Sequence, residues 1–146
     1  MLLRRSRARE VVLQLLYQDD LNPQREVAPD VDFMTQRLHG NEELIEFAKT
    51  LLNGVRRNRG ELDSTLEKHT ANWTLVRMAA TDRNVLRLGA FEILYTETPG
   101  RVAINEAVEL AKRFGAKQSS QFVNGILDGL LPASEKADED AGTAPS

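Results

Sequence analysis

Four arginines fall within six positions near the start of the chain: Arg4, Arg5, Arg7 and Arg9. A guanidinium carries a planar fork of donors that fits phosphate oxygens, and its flat face stacks on nucleobases. One helix face cannot hold all four, so they fan around the first turns and suit a bent single strand better than a flat surface. Only Glu10 opposes them locally. Positive charge at a helix N-terminus works against the helix dipole, so the cluster calls for an anionic partner; without one it is a solvated helix start. Tyr17 and Phe114 sit beside apolar stripes, where they offer faces for base stacking or serve as boundary residues of a core. A second basic group, Arg56, Arg57 and Arg59, is accounted for by charge complementation at a helix C-terminus and is not assigned to RNA.

The elements that carry these residues are all helical. Ala8, Val11, Val12, Leu15 and Leu16 recur at i, i+3, i+4, i+7 and i+8, which predicts a helix over 4–20, broken by Asn22-Pro23. A short helix is expected over 32–38, stopped by Gly40. Asn41 caps the next, with Glu42 and Glu43 in its first turn and Leu44, Ala48, Leu51, Leu52 and Val55 as its buried stripe. Gly60 interrupts the pattern, and Leu62 and Leu66 mark a shorter helix ending near His69. Residues 71–80, with the single tryptophan, read as a turn with a short helical piece. Thr81 is expected to cap a central helix whose Val85, Leu86, Leu88, Ala90, Phe91, Ile93 and Leu94 cover more than one face, the mark of a helix buried on several sides. After Pro99-Gly100 come two more helices. One carries Ile104, Ala107, Val108, Ala111 and Phe114 and stops at Gly115 in a left-handed conformation; the other carries Phe122, Val123, Ile126, Leu127 and Leu130, with Gly125 permitting close packing. Nothing alternates with period two. The expected fold class is all-α, one domain of about seven helices.

Composition bounds the function. No apolar run approaches the length that spans a bilayer, and no membrane partner is expected. The basic start is followed by an amphipathic pattern, not the continuous apolar stretch of a signal peptide, and a cytoplasmic location is expected. With no cysteine there are no disulfides and no thiolate metal sites. The net charge of −3 misleads: residues 132–146 carry four acids and one lysine, leaving 18 of each sign in residues 1–131 out of 19 basic and 22 acidic in all. Residues 132–146 form an acidic stretch with small side chains, expected to be disordered. His39 and His69 have no ligand spacing around them, and the chain lacks a glycine-rich phosphate loop and a G-x-S-x-G elbow. No catalytic residue, metal or cofactor is expected.

Three segments, in order, resemble the NusB family of bacterial transcription antitermination factors: Arg4–Tyr17, Asp82–Leu94, and the stretch from Val102 through Phe114-Gly115 to Phe122-Val-Asn-Gly-Ile-Leu-Asp128. The resemblance implies two stacked three-helix bundles over residues 1–131 and an RNA-binding adaptor with no enzyme activity. It implies boxA-type RNA of ribosomal RNA transcripts as ligand, and NusE, a small-subunit ribosomal protein, as partner. Beyond these it implies an RNA polymerase antitermination complex and, in some members, a homodimer. The RNA surface it implies runs across Arg4, Arg5, Arg7, Arg9 and Tyr17 to the turn near Phe114, Lys117, Gln118 and Gln121. Relatives often have acids where Lys117 and Gln118 stand. The NusE surface it implies lies around Asn72, Leu75, Val76 and Arg83. Two alternatives remain: a protein-only scaffold, and a stand-alone relative of the N-terminal domain of RNA cytosine-5 methyltransferases, which without cysteine and a methyl-donor domain could not methylate.

Overall fold

The computed structural model describes residues 4–70 and 74–132. Seven α-helices and no strands occur among them: α1 (Arg5–Leu21), α2 (Asp30–Arg37), α3 (Glu42–Arg57), α4 (Arg59–Glu67), α5 (Ala80–Tyr95), α6 (Gly100–Phe114) and α7 (Ser119–Asp128), with a 3-10 turn at Leu75–Arg77. Helices α1, α2 and α3 contact one another, as do α5, α6 and α7. Helix α5 joins the two triplets, touching α1, α3, α4, α6 and α7. This is the all-α arrangement expected from the periodicity. The expected tail over residues 132–146 lies, apart from Pro132, outside the described residues.

The apolar stripes explain the packing. Ala8, Val11, Val12, Leu15 and Leu16 are buried on α1, and every apolar residue of the predicted α3 stripe is buried as well. Residues Val85–Phe91 of α5 are buried without a break, as befits a helix enclosed on several sides. Each large aliphatic side chain taken fully out of water contributes about 1.5–3 kcal/mol. Asn41 caps α3 as expected, its side-chain oxygen accepting from the Leu44 N–H at 3.1 Å. The chain enters α3 through His39 and Gly40, both at positive φ.

Several local expectations are corrected. Gly60 lies inside α4; the break falls at Asn58, whose side-chain amide donates to the Gly54 carbonyl at 2.8 Å. Thr81 is not the cap of α5, which begins at Ala80 with no side-chain cap. Gly115 ends α6 in an extended conformation (φ −95°, ψ −173°), not a left-handed one. A Cβ there would lie 2.7 Å from Ser119 Cβ and Oγ, so the constraint is the close approach of the next helix. Gly125 faces open space. The glycines that permit close packing are Gly54, where a Cβ would meet the Phe91 ring at 2.0 Å, and Gly89, where it would meet Leu127 at 2.6 Å.

An arginine–aspartate network staples α1 to the elements around its C-terminal end. Asp19 and Asp20 are adjacent, yet neighbours on a helix point roughly 100° apart, and they serve different partners. Asp19 accepts from Arg25 and Arg56, and these two arginines also hold Asp30 at the start of α2. Asp20 accepts from Arg59, Arg83, Arg87 and Asn84. Arg87 also grips Asp63 of α4 with two hydrogen bonds of 2.7 and 2.9 Å. Thus Arg56 and Arg59, read as helix-terminal charges, are cross-links.

Burial alone would raise the Asp20 carboxyl, but hydrogen bonds from Arg83 and Asn84 and the charges of Arg87 and Arg83 outweigh it and hold the pKa below the ordinary value. Asp30 is likewise lowered: burial opposes, and Arg25 and Arg56 prevail. A depressed folded-state pKa adds stability that is complete above the unfolded value and is lost as pH falls through the folded one. Urea midpoints should therefore hold between pH 7 and 5 and fall below about pH 4. An Asp20→Asn/Asp30→Asn variant should be less stable at pH 7 and show a flatter acid limb. Parallel acid limbs for the two proteins would mean that these carboxylates are not coupled to folding.

Candidate nucleic-acid interface

The four N-terminal arginines fan out as their spacing requires, but to different ends. Arg4 is exposed immediately before α1. The Arg5 guanidinium lies 4.3 Å from the centre of the Phe47 ring on α3, a cation–π contact. Arg7 is half-exposed and pairs with Glu10 one turn on, at 3.0 Å. Arg9 is only 4% exposed.

Arg9 is the correction to the RNA-contact expectation. Its Nε and one terminal nitrogen donate to Glu92 at 2.6 and 2.7 Å, a bidentate pair, while the other donates to Glu106 at 3.1 Å. Glu106 also accepts from Ser6 Oγ at 2.5 Å, and Glu92 from Thr98 Oγ1 at 3.0 Å. The guanidinium further lies 5.1 Å from the Phe47 ring centre. This arginine has no free face: it joins α1 to α5 and α6 through a buried ionic cluster. A glutamate within the otherwise apolar run Leu88–Leu94 near the C-terminal end of α5 was the available signal, since such a residue is buried only with a cation beside it.

The structure does bring together Arg7, Tyr17 and Phe114. They line one groove of about 460 Å³, between α1 and the C-terminal end of α6, whose walls also include Glu10, Gln14, Arg37, Thr81 and Arg113. Tyr17 and Phe114 are both exposed, and Arg113 lies 5.1 Å from the Phe114 ring centre. Gln14, Arg37 and Arg113 were missed. Arg7, Glu10, Gln14 and Tyr17 follow at i, i+3, i+7 and i+10, a polar face opposite the core stripe of α1 that was legible in the sequence. Arg113 stands in the last turn of α6, where a basic residue is explained by the helix dipole alone. Arg37 had no local signal, because it arrives with α2.

Lys117, Gln118 and Gln121 are exposed at and after the α6–α7 turn but do not line this groove. Gln118 borders a smaller hollow of about 280 Å³ with Arg77, Met78, Ala79, Asp82, Ala116, Ser119 and Phe122. Of the expected partner residues, Asn72 lies outside the described residues. Leu75 is 3% exposed and belongs to the core, which removes it from a surface. Val76 beside it is 85% exposed. The 3-10 turn that displays Val76 is tied down by Arg83, which donates to Asp20 and to the carbonyls of Leu75 and Met78, and by Glu67, which accepts from the Leu75 N–H. Arg83 is thus committed to holding this turn, not free to reach a partner.

The described residues include no cluster of three or more potential metal ligands and no helix long and apolar enough to cross a membrane. Fold and site together define a class: an all-helical protein whose first helix presents a basic, aromatic-edged groove. The NusB family model matches residues 6–132. The transcription antitermination protein NusB of Anaeromyxobacter sp. is 43% identical over 94% of this chain and 99% of its own length. NusB of T. maritima superposes with a TM-score of 0.80 at 31% identity, covering 94% of this chain and 99% of that one. A solved structure of antitermination factors NusB and NusE in complex with dsRNA contains a chain that matches with a TM-score of 0.71 at 29% identity, covering 86% and 94% respectively. The chain belongs to the NusB family of transcription antitermination proteins.

Arg7 and Arg9 of the N-terminal cluster should separate by experiment. Arg9→Ala leaves Glu92 and Glu106 without their cation and should cost about 3–5 kcal/mol in urea unfolding. Arg7→Ala removes a half-exposed pair and should cost about 1 kcal/mol or less. Equal, small losses for both would contradict the buried cluster.

Proposed function

We propose that this chain is a non-catalytic adaptor in transcription antitermination, working in the cytoplasm. It binds boxA-type RNA of ribosomal RNA transcripts together with NusE and passes the assembly to RNA polymerase. The observation that carries the reading is the groove beside α1, where Arg7, Arg37 and Arg113 face the same space as Tyr17 and Phe114. Guanidinium groups for the backbone and rings for unstacked bases are what single-stranded RNA requires. The likeness to a chain solved with NusE and RNA supports the same assignment.

The contacting residues in this reading are Arg7, Tyr17 and Phe114 in the groove, joined by Arg4 and Arg5 from the start of α1. Lys117, Gln118 and Gln121 extend it beyond the α6–α7 turn. Arg9 acts only by holding α1 in place. Lysine and glutamine where relatives often carry acids lower the repulsion of phosphate at that end.

The test is a titration of a boxA-type RNA and a scrambled control at two salt concentrations, with and without NusE. Arg7→Ala should weaken binding by about 1–3 kcal/mol and flatten the salt dependence while leaving the fold intact. Absence of selective binding by the parent, alone and with NusE, would leave a protein-only scaffold.

NusE, in the same reading, docks on the 3-10 turn that displays Val76. Val76→Asp should abolish capture of NusE with little change in melting temperature. Leu75→Asp, which places a carboxylate in the core, should instead lower the melting temperature sharply. Undiminished capture by Val76→Asp would move the partner surface elsewhere.

A further inference from the structure

The groove that supplies the proposed RNA contacts contains one acid. Glu10 lies between Arg7 of the same helix and Arg113 from the end of α6, and its carboxylate pairs with both. Its side chain is 9% exposed, whereas those of Arg7 and Arg113 are 41% and 58% exposed. The carboxylate is therefore the floor and the arginines are the rim. Each guanidinium has five N–H donors, and a carboxylate at its inner edge occupies only part of that set. The outer donors remain turned to solvent on a fork that is held in place.

We propose that Glu10 is a specificity-determining residue: a fixed internal anion that clamps Arg7 and Arg113 and limits how much phosphate charge each can take. This rests on the RNA-binding reading above. Two consequences follow from electrostatics. Neutralising one arginine charge lowers the attraction for any polyanion, irrespective of sequence. Holding the two forks still favours a strand whose phosphates and bases fit them over one that must bend the protein to its own shape. The clamp thus gives up non-specific affinity and retains selective affinity. Phe114 shares in it, because Arg113, which pairs with Glu10, also lies 5.1 Å from the centre of its ring.

The experiment compares parent and Glu10→Gln, an isosteric change that removes the charge, on boxA-type RNA and its scrambled control across a salt series. The parent must first prefer boxA; without that preference the RNA-binding reading fails, and the clamp with it. Given the preference, Glu10→Gln should bind the scrambled RNA more tightly at low salt. Its discrimination should fall by roughly fivefold, and its salt slope should steepen by about 0.7, one additional phosphate on a single strand. An unchanged ratio and slope overturns the clamp, as does an equal loss on both RNAs. Arg113→Gln supplies a second reading at a side chain that is more than half exposed. It should narrow the ratio by removing one half of the clamp and should weaken the scrambled RNA; a parallel loss on both RNAs with the ratio intact also overturns the proposal.

Discussion

The structure depends on how α1 lies against α5. Helix α5 is enclosed on several sides and still carries Arg83, Arg87 and Glu92 along its length. Desolvated charges of this kind are tolerated only beside opposite charge. Helix α1 supplies it at both ends: Arg9 meets Glu92, and about 16 Å further along its axis Asp20 meets Arg83 and Arg87. From N- to C-terminus both helices run from positive to negative, Arg9 to Asp20 on α1 and Arg83 and Arg87 to Glu92 on α5, so only the antiparallel arrangement pairs opposite charges at both ends. Turning α1 end for end would bring Arg9 towards Arg83 and Arg87. Apolar burial supplies the driving force, and the buried charges select one alignment among those that apolar contact alone would permit.

That alignment explains why one helix can serve both the core and the candidate interface. With Val11, Val12, Leu15 and Leu16 turned inward and both ends fixed, the opposite face, Arg7-Glu10-Gln14-Tyr17, has a set place in space. Helix α6 ends on Arg113 and Phe114 against that face, because Glu106 one stretch earlier is held by Arg9 and Ser6. The exposed groove is thus positioned by hydrogen bonds that lie beneath it.

Most of the fold was legible in the sequence because helix periodicity is a local property. The stripes of α1 and α3, the cap at Asn41, the turn before α5 and the enclosure of α5 all follow from neighbours within a few residues. The misreadings share a different origin. Arg9 looks like its neighbours until Glu92 and Glu106 arrive from 83 and 97 residues away. Leu75 sits in a turn, where exposure is the ordinary expectation, yet the chain folds it inward and leaves Val76 outside. Gly115 was expected to be left-handed and Gly125 to sit at a close helix contact, whereas Ser119 crowds Gly115 and nothing crowds Gly125; the constraint at a glycine is set by whatever packs against it. The candidate site was half legible: the aromatic and basic residue types were visible, and the convergence of α2 and α6 on α1 was not.

The contact between Gly54 and Phe91 bears on how this sequence can change over time. The ring occupies the volume that any side chain at position 54 would need, so the two positions are not free to vary independently. An alanine at 54 would be rejected while phenylalanine stands at 91, but tolerated once a smaller residue has replaced it. A smaller residue at 91 first leaves a void that lowers stability without destroying the fold. The route between the two pairings is therefore passable in one order and closed in the other, so a single missing methyl group imposes a direction on the history of two helices.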